Sequence, residues 1–310
     1  MGSIMPPRLA LAPVIATALL LSASAVAGES GEKTPFAVEF RTGAEYDSNI
    51  AVLELDTSTG SSDVAALIDF HAGFDKQRPK SWGYDVAYDF SQSLYREFDS
   101  YDLRIHRGSA GAGYDFGAVE TGLSYQYVSA ALANGEDLTL SQVTPHLGAL
   151  MGNKFYLRLA WDRSDKTYAL SSGRDATTDA PSLDAYVFVN GVKSHLVFGY
   201  QHVKENAADD TYDYEGGKIK AQLTERFAWG SRGLVLKTGI RYESRTYREP
   251  PLPITPRRAD QRCRFELELE GILSRHMFLS VRYAFAHNRS TEASVNFDEN
   301  VASLGFGARL

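Results

Sequence analysis

The chain has 310 residues, is 44% hydrophobic and 23% charged, and carries a formal net charge of −7. That composition excludes a disordered chain, and the acidic balance excludes a nucleic-acid partner, which requires a basic surface. The single cysteine, Cys263, excludes a disulfide framework within the chain, so burial and hydrogen bonds alone must hold it together.

The first element is a targeting segment. Arg8 supplies a small positive region, Leu9 to Leu21 form an apolar run broken by Pro13 and Thr17, and Ala25-Val26-Ala27 make a small-x-small cleavage site before Gly28. The run is shorter than the roughly 20 residues of a spanning helix. The expectation is a cleaved signal peptide over residues 1–27 and a mature domain over 28–310, with 31 basic and 39 acidic groups left after Arg8 is removed.

Beyond residue 27 no apolar run reaches the length of a spanning helix, and period-two alternation recurs from end to end. The first strand, 36–46, sets Val38, Phe40, Thr42, Ala44 and Tyr46 against Glu39, Arg41 and Glu45. Weaker segments follow at 63–75, 100–113, 118–130 and 138–151, around a clear one at 82–90 that sets Trp82, Tyr84, Val86, Tyr88 and Phe90 against Asp85 and Asp89. Pro145 interrupts the 138–151 segment. At 155–162, Phe155, Leu157, Leu159 and Trp161 alternate with Arg158 and Asp162. Segments at 182–190 and 194–205 are joined by Asn190-Gly191, a strong hairpin turn. Three further strands put Lys218 and Lys220, then Lys237 and Arg241, then Glu266, Glu268 and Glu270 opposite apolar neighbours. The last two, 276–288 and 302–310, oppose Arg282 to Leu279, Val281 and Tyr283, and Arg309 to Leu304, Phe306 and Ala308.

The connections alternate in length. Long polar ones, such as "DSNIAVLELDTSTGSS", "RSDKTYALSSGRDATTDAP", "KENAADDTYDY", "SRTYREPPLPITPRRAD" and "NRSTEASVN", are separated by short turns, "YDFGA", "GNK", "NGVK" and "LSRH". The connection near Glu97–Ser100 departs from this by being short. Short turns at one end, long loops at the other and an even strand count mark an outer-membrane barrel. Lipid admits only helices or closed barrels, because it offers no water to free N–H and C=O groups. The expected fold is therefore all-β: a transmembrane, antiparallel, up-and-down β-barrel of about fourteen strands, monomeric, with lipid against its apolar face. A soluble exported β-sandwich is the alternative fold.

Strand parity makes Arg41, Arg158, Lys218, Lys220, Lys237, Arg241, Glu266, Glu268, Glu270 and Arg282 the candidate lumen lining. Acidic and basic stripes of this kind either filter solutes or close the interior as a charge network. Tyr46, Tyr88, Tyr101, Tyr127, Tyr168, Tyr200 and Tyr242, with Trp82 and Trp161, are candidates for girdles at the headgroup level. No H-E-x-x-H, G-x-S-x-G or Cys/His metal cluster ties together His71, His106, His146, His195, His202, His276 and His287. The acidic stretches "DATTDAP" and "NAADD" suit weak calcium binding or simple solvation. No cofactor, metal or catalytic residue is expected.

Two stretches carry a resemblance. "GAEYDSNI" (43–50) ends the first strand in Tyr46-Asp47-Ser48-Asn49, and "VRYAFAHNRSTEASVNFDENVASLGFGARL" (281–310) closes the chain with a hairpin and a strand carrying Asn300-Val301. Both resemble the C-terminal barrel of surface lipoprotein assembly modifiers, and the resemblance implies a fourteen-stranded barrel serving lipoprotein export. That family carries a helical-repeat domain before its barrel, whereas about eight residues separate Gly28 from the first strand here, so a bare barrel is expected. Leu310 stands where barrels handled by the barrel assembly machinery end in Phe, but the alternation before it is intact. The expected function is a channel or translocation pore of the bacterial outer membrane, passing a small solute or a polypeptide such as an exported lipoprotein. The expected partners are outer-membrane lipid and the assembly machinery. A closed barrel acting as a surface-loop scaffold and a barrel-embedded hydrolase are the rival readings.

Overall fold

The computed structural model describes residues 35–76, 80–191, 193–230, 232–250 and 256–310; the expected signal peptide lies outside them. The wall begins with β1 (Phe36–Asp47), and a small hairpin of β2 (Ala51–Val52) and β3 (Thr57–Ser58) follows. The remaining wall strands are β4 (Asp63–Lys76), β5 (Trp82–Tyr95), β6 (Leu103–Asp115), β7 (Val119–Leu132), β8 (Asp137–Met151), β9 (Phe155–Tyr168), β10 (Ala176–Phe188), β11 (Ser194–Ala207), β12 (Tyr214–Trp229), β13 (Arg232–Tyr247), β14 (Ala259–Ile272), β15 (Met277–Ser290) and β16 (Phe297–Arg309). β1 and β4 to β16 pair antiparallel with their chain neighbours, and β16 closes on β1 from Glu39↔Arg309 to Asp47↔Val301. The result is a closed barrel of fourteen strands. At about 4.8 Å between strands and about 40° of tilt, fourteen strands enclose a cylinder roughly 28 Å across the backbone.

Parity decides which face each residue meets. The outward face carries large apolar side chains left uncovered by protein, such as Trp82 at 65%, Leu159 at 54% and Leu304 at 54% exposure. The inward face buries charge, with Arg41 at 5% and Asp184 at 2%. A sandwich inverts that arrangement, because its leucines share a dry core and its charges meet solvent. Here Leu267 and Leu279 face out while Glu268 is buried inside, which removes the sandwich alternative. No helix among the described residues is long and apolar enough to cross a membrane; a closed ring of strands with an exposed apolar outer face is the arrangement of an outer-membrane barrel.

The strands run further than the alternation of apolar residues suggests. Arg163 to Tyr168 belong to β9, and Ala176 to Pro181 to β10, so most of "RSDKTYALSSGRDATTDAP" is wall and not loop. There both faces are polar: Arg163 and Asp165 are exposed outside while Lys166 and Thr178 sit inside. A wall polar on both faces has left the hydrocarbon, which is why hydrophobic alternation stops before the strand does. Only the segment after β1 and the one after β13 are long. Those after β5, β9, β11 and β15 close through 3-10 turns with acidic or amide caps: the carboxylates of Asp102, Asp175 and Asp213 accept from the N–H groups of Tyr95, Tyr168 and Ala207 at 2.6, 2.7 and 2.6 Å, and Asn296 accepts from Ser290 at 2.6 Å. Asp209 likewise accepts from the N–H of Thr211 at 3.0 Å. Of the acids considered as calcium ligands, Asp175 and Asp209 are thus engaged in turn formation and Asp179 pairs with Arg163 at 3.2 Å, and no cluster suited to a metal occurs among the described residues.

Proline leaves a local mark and not a break. The β8–β9 register steps over Thr144 and Pro145, and the β10–β11 register steps over Ala180 and Pro181. A missing N–H costs one rung, and the strand continues on both sides. Where the chain turns at Asn190-Gly191, Gly191 takes φ +56, the left-handed geometry that this tight hairpin requires.

Candidate functional site

Inside the barrel the ten sequence-derived lumen residues all sit on the inward face, and most are paired. Arg41 of β1 donates to Asp69 of β4 through Nε at 2.8 Å. Lys218 and Glu243 approach to 3.6 Å, Lys220 and Asp184 to 2.7 Å, and Lys237 and Glu268 to 3.7 Å. Arg282 donates to Glu268 at 3.2 Å, Arg264 donates to Glu266 at 2.7 Å, and Arg309 reaches over the Phe278 ring to Glu270. Arg158 lies opposite Asp184 in the β9–β10 register, and Arg241 feels the charge of Glu266. The acidic and basic stripes therefore interlock across neighbouring strands.

The opposite wall differs. Ile105, Val128, Ala130, Leu138, Leu140 and Tyr168 form a buried apolar patch on the inner faces of β6 to β9. Tyr156, Tyr186, Phe188 and Val197 make a second patch further down. Tyr168 was expected in an outward girdle, yet it points inward at 5% exposure, because it belongs to the inner parity of β9 with Lys166 and Ser164. Tyr101 falls in a 3-10 turn outside the strands. Tyr46, Tyr88, Tyr127, Tyr200, Tyr242, Trp82 and Trp161 are exposed on the outer wall.

The segment between β1 and β4 fills the mouth between these two walls. It leaves β1 through the Tyr46-Asp47-Ser48-Asn49 stretch. The Asp47 carboxylate accepts from the Asn49 N–H at 2.9 Å and from the Tyr95 hydroxyl at 3.2 Å. The Ser48 hydroxyl accepts from the Asn300 N–H at 2.8 Å, and the Asn49 amide donates to the Asp298 carbonyl at 3.1 Å. The two stretches that carried the family resemblance, at opposite ends of the sequence, thus meet at the seam of β1 and β16.

From that anchor the β2–β3 hairpin reaches into the lumen. Leu55 packs on the apolar patch of β6 to β9. The Glu54 carbonyl accepts from Arg174 at 3.0 Å, and its carboxylate lies 3.9 Å from Lys166. Asp56, at the tip with φ 55, is held by three arginines from two other loop ends. Arg258 grips both carboxylate oxygens at 2.9 and 2.8 Å, Arg174 donates at 3.1 Å, and Arg262 donates at 3.2 Å. Arg258 is in turn oriented by Asp260 at 2.9 and 2.8 Å and lies over the Tyr247 ring at 4.5 Å. Burial alone raises the Asp56 carboxyl, but the Arg258 hydrogen bonds and the three positive charges outweigh it and hold the group at about 2.

This latch, and the Lys166–Glu205 pair at 2.7 Å beneath it, were not legible as a site in the sequence. The available signal was "IAVLEL" (50–55), an apolar run inside a connection that should be polar if it lay in water. Ile50 and Ala51 are 2% and 4% exposed.

The sequence profile of the surface lipoprotein assembly modifier family matches residues 53–276, from the hairpin to the turn before β15. The chain belongs to the surface lipoprotein assembly modifier family. The match covers most of the chain and lies between the two terminal stretches, so it is independent of them. No curated protein sequence matches this family member. Among solved structures it is similar to OmpT of Vibrio cholerae expressed in the outer membrane, at 8% identity and a TM-score of 0.50, over 89% of this chain and 97% of that one. It is also similar to an anion-selective porin from Comamonas acidovorans, at 9% identity and a TM-score of 0.49, over 89% and 98%. At such identities the first likeness speaks for the outer-membrane barrel fold alone.

Proposed function

We propose that this family member is a gated translocation pore of the bacterial outer membrane, and that its cargo is a polypeptide of the surface-lipoprotein class. The observation that carries the reading is the seating of the β2–β3 hairpin. A segment anchored at one seam is held across the lumen by the Asp56 carboxylate on three arginines, by Glu54 against Arg174 and Lys166, and by Leu55 on an apolar patch. Such a plug leaves the wall intact when it moves, because no wall strand depends on it for its ladder. Family membership supports the cargo class, and the paired charges of the wall suit passage, since a surface of both signs engages a polar chain without holding one sign of it. With the longer loops outside the cell, the hairpin closes the outer mouth.

Planar-bilayer conductance tests this directly. The wild-type protein is expected to stay closed or to open rarely, and a variant lacking residues 50–60 is expected to give ohmic steps. A silent deletion variant that still shows the mobility shift of a folded barrel on boiling overturns the pore and favours a closed scaffold. Surface display of an epitope-tagged lipoprotein, measured in cells with and without the protein, then tests the cargo.

A further inference from the structure

A groove of about 500 Å³ lies on the outer wall, over β11, β12 and β13 near the loop end. Its position follows from register. The outward row Phe198, Ala221, Ile240, Phe265 and Phe285 is apolar. One step toward the loops the row reads Tyr200, Ile219 and Tyr242, and one further His202, Gly217 and Ser244. The groove begins at the tyrosine row and ends among loop side chains, so it straddles the boundary of hydrocarbon and headgroup, where Tyr is at home.

Its shape comes from Gly217. At this outward position a side chain fills the space; a Cβ placed there lies 3.4 Å from the Tyr200 ring, in contact without a clash. The floor is Ile219, flanked by Tyr200 and Tyr242, all facing lipid. The upper rim is cationic. Arg248 and Arg257 overhang it, Arg248 being 3.5 Å from Asp213, while Arg257 makes no ion pair among the described residues. Glu215 is the acid on the rim, and His202 neutralises it at 3.2 Å when protonated.

We propose that this groove binds an anionic phosphomonoester lipid of the leaflet at the loop end, with its phosphate between Arg248 and Arg257 and an acyl chain over Ile219. Apolar floor and cationic rim, stacked along the membrane normal at the interface, match such a lipid in charge and in polarity order. A soluble phosphate uses only the rim and gains nothing from the floor. The inference rests on the membrane position of the barrel and not on the pore reading.

The test is native mass spectrometry of the detergent-purified protein, exposed to mixed micelles of a phosphomonoester lipid or of phosphatidylcholine. Wild type is expected to retain one phosphomonoester lipid and to release phosphatidylcholine. The double variant Arg248→Ala with Arg257→Ala, and separately Gly217→Leu, are expected to retain the phosphomonoester lipid about tenfold less. Gly217→Leu leaves both arginines in place, so its loss identifies the groove and not general surface charge. The mobility shift on boiling certifies that each variant is folded. Equal retention by wild type and both variants overturns the proposal, as does full displacement of the lipid by millimolar inorganic phosphate, which identifies a free-anion site.

Discussion

Asp56→Ala is the sharpest perturbation of the proposed gate. It removes the carboxylate that accepts four hydrogen bonds from Arg258, Arg174 and Arg262. The depression of its carboxyl from 3.8 to about 2 corresponds to roughly 2 kcal/mol in favour of the ionised form in place. The mutation also strands partner charges that are 7%, 9% and 19% exposed, and breaking a buried pair on one side costs about 3–5 kcal/mol. Arg258 and Arg262 retain Asp260 nearby, which brings the expected loss to the bottom of that range or just below it, about 2–3 kcal/mol. A shift of that size changes the closed-to-open ratio about 30- to 150-fold, ample to turn rare openings into frequent ones. Single-channel recording at fixed voltage reads the open fraction directly. Asp56→Asn separates charge from geometry, because Asn tolerates the φ of 55 and retains one acceptor, so it should open less than Ala. An open fraction in Asp56→Ala indistinguishable from wild type, with deletion of 50–60 conducting, refutes the Asp56 latch and leaves Leu55 packing and the Glu54 contacts as what holds the hairpin.

Three further outcomes follow from the geometry. Because the Asp56 carboxyl is lowered, its stabilisation of the closed mouth is fully present above the ordinary carboxylate range and is lost only as pH falls toward about 2; Asp56 therefore gives no opening between pH 8 and pH 5, and a steep rise in wild-type conductance there that Asp56→Asn abolishes contradicts this. Leu159→Arg places a cation on the lipid face between Leu147 and Leu183 and should destabilise the barrel by about 2–4 kcal/mol in urea titrations from lipid vesicles, an unchanged midpoint arguing against lipid contact. Gly216→Ala brings a Cβ to 2.1 Å from the Ser244 carbonyl oxygen, where the backbones of β12 and β13 pass closely, so the yield of heat-modifiable barrel should fall sharply; normal folding of this variant refutes the close approach.

The wall was legible because lipid and lumen impose opposite chemistry on alternate residues, as at Leu157, Arg158 and Leu159. That contrast is strongest within the bilayer and fades above it. Hence the strand ends around Lys166 and Thr178 read as loop, and Tyr168 read as girdle. The latch was not legible for a different reason. Asp56 meets Arg174 across 118 residues and Arg258 across 202, and no local periodicity encodes such a pairing. The resemblance stretches fared better than their separation suggests, since Ser48 and Asn300 prove to be neighbours.

The pairing of β1 with β16 has a consequence for biogenesis. The first strand waits for the last, so a nascent sheet carries two raw edges through most of its construction, each a template for foreign strands. A molecule left with that seam unjoined is therefore prone to aggregate. Quality control for this molecule amounts to a question put once, at the seam.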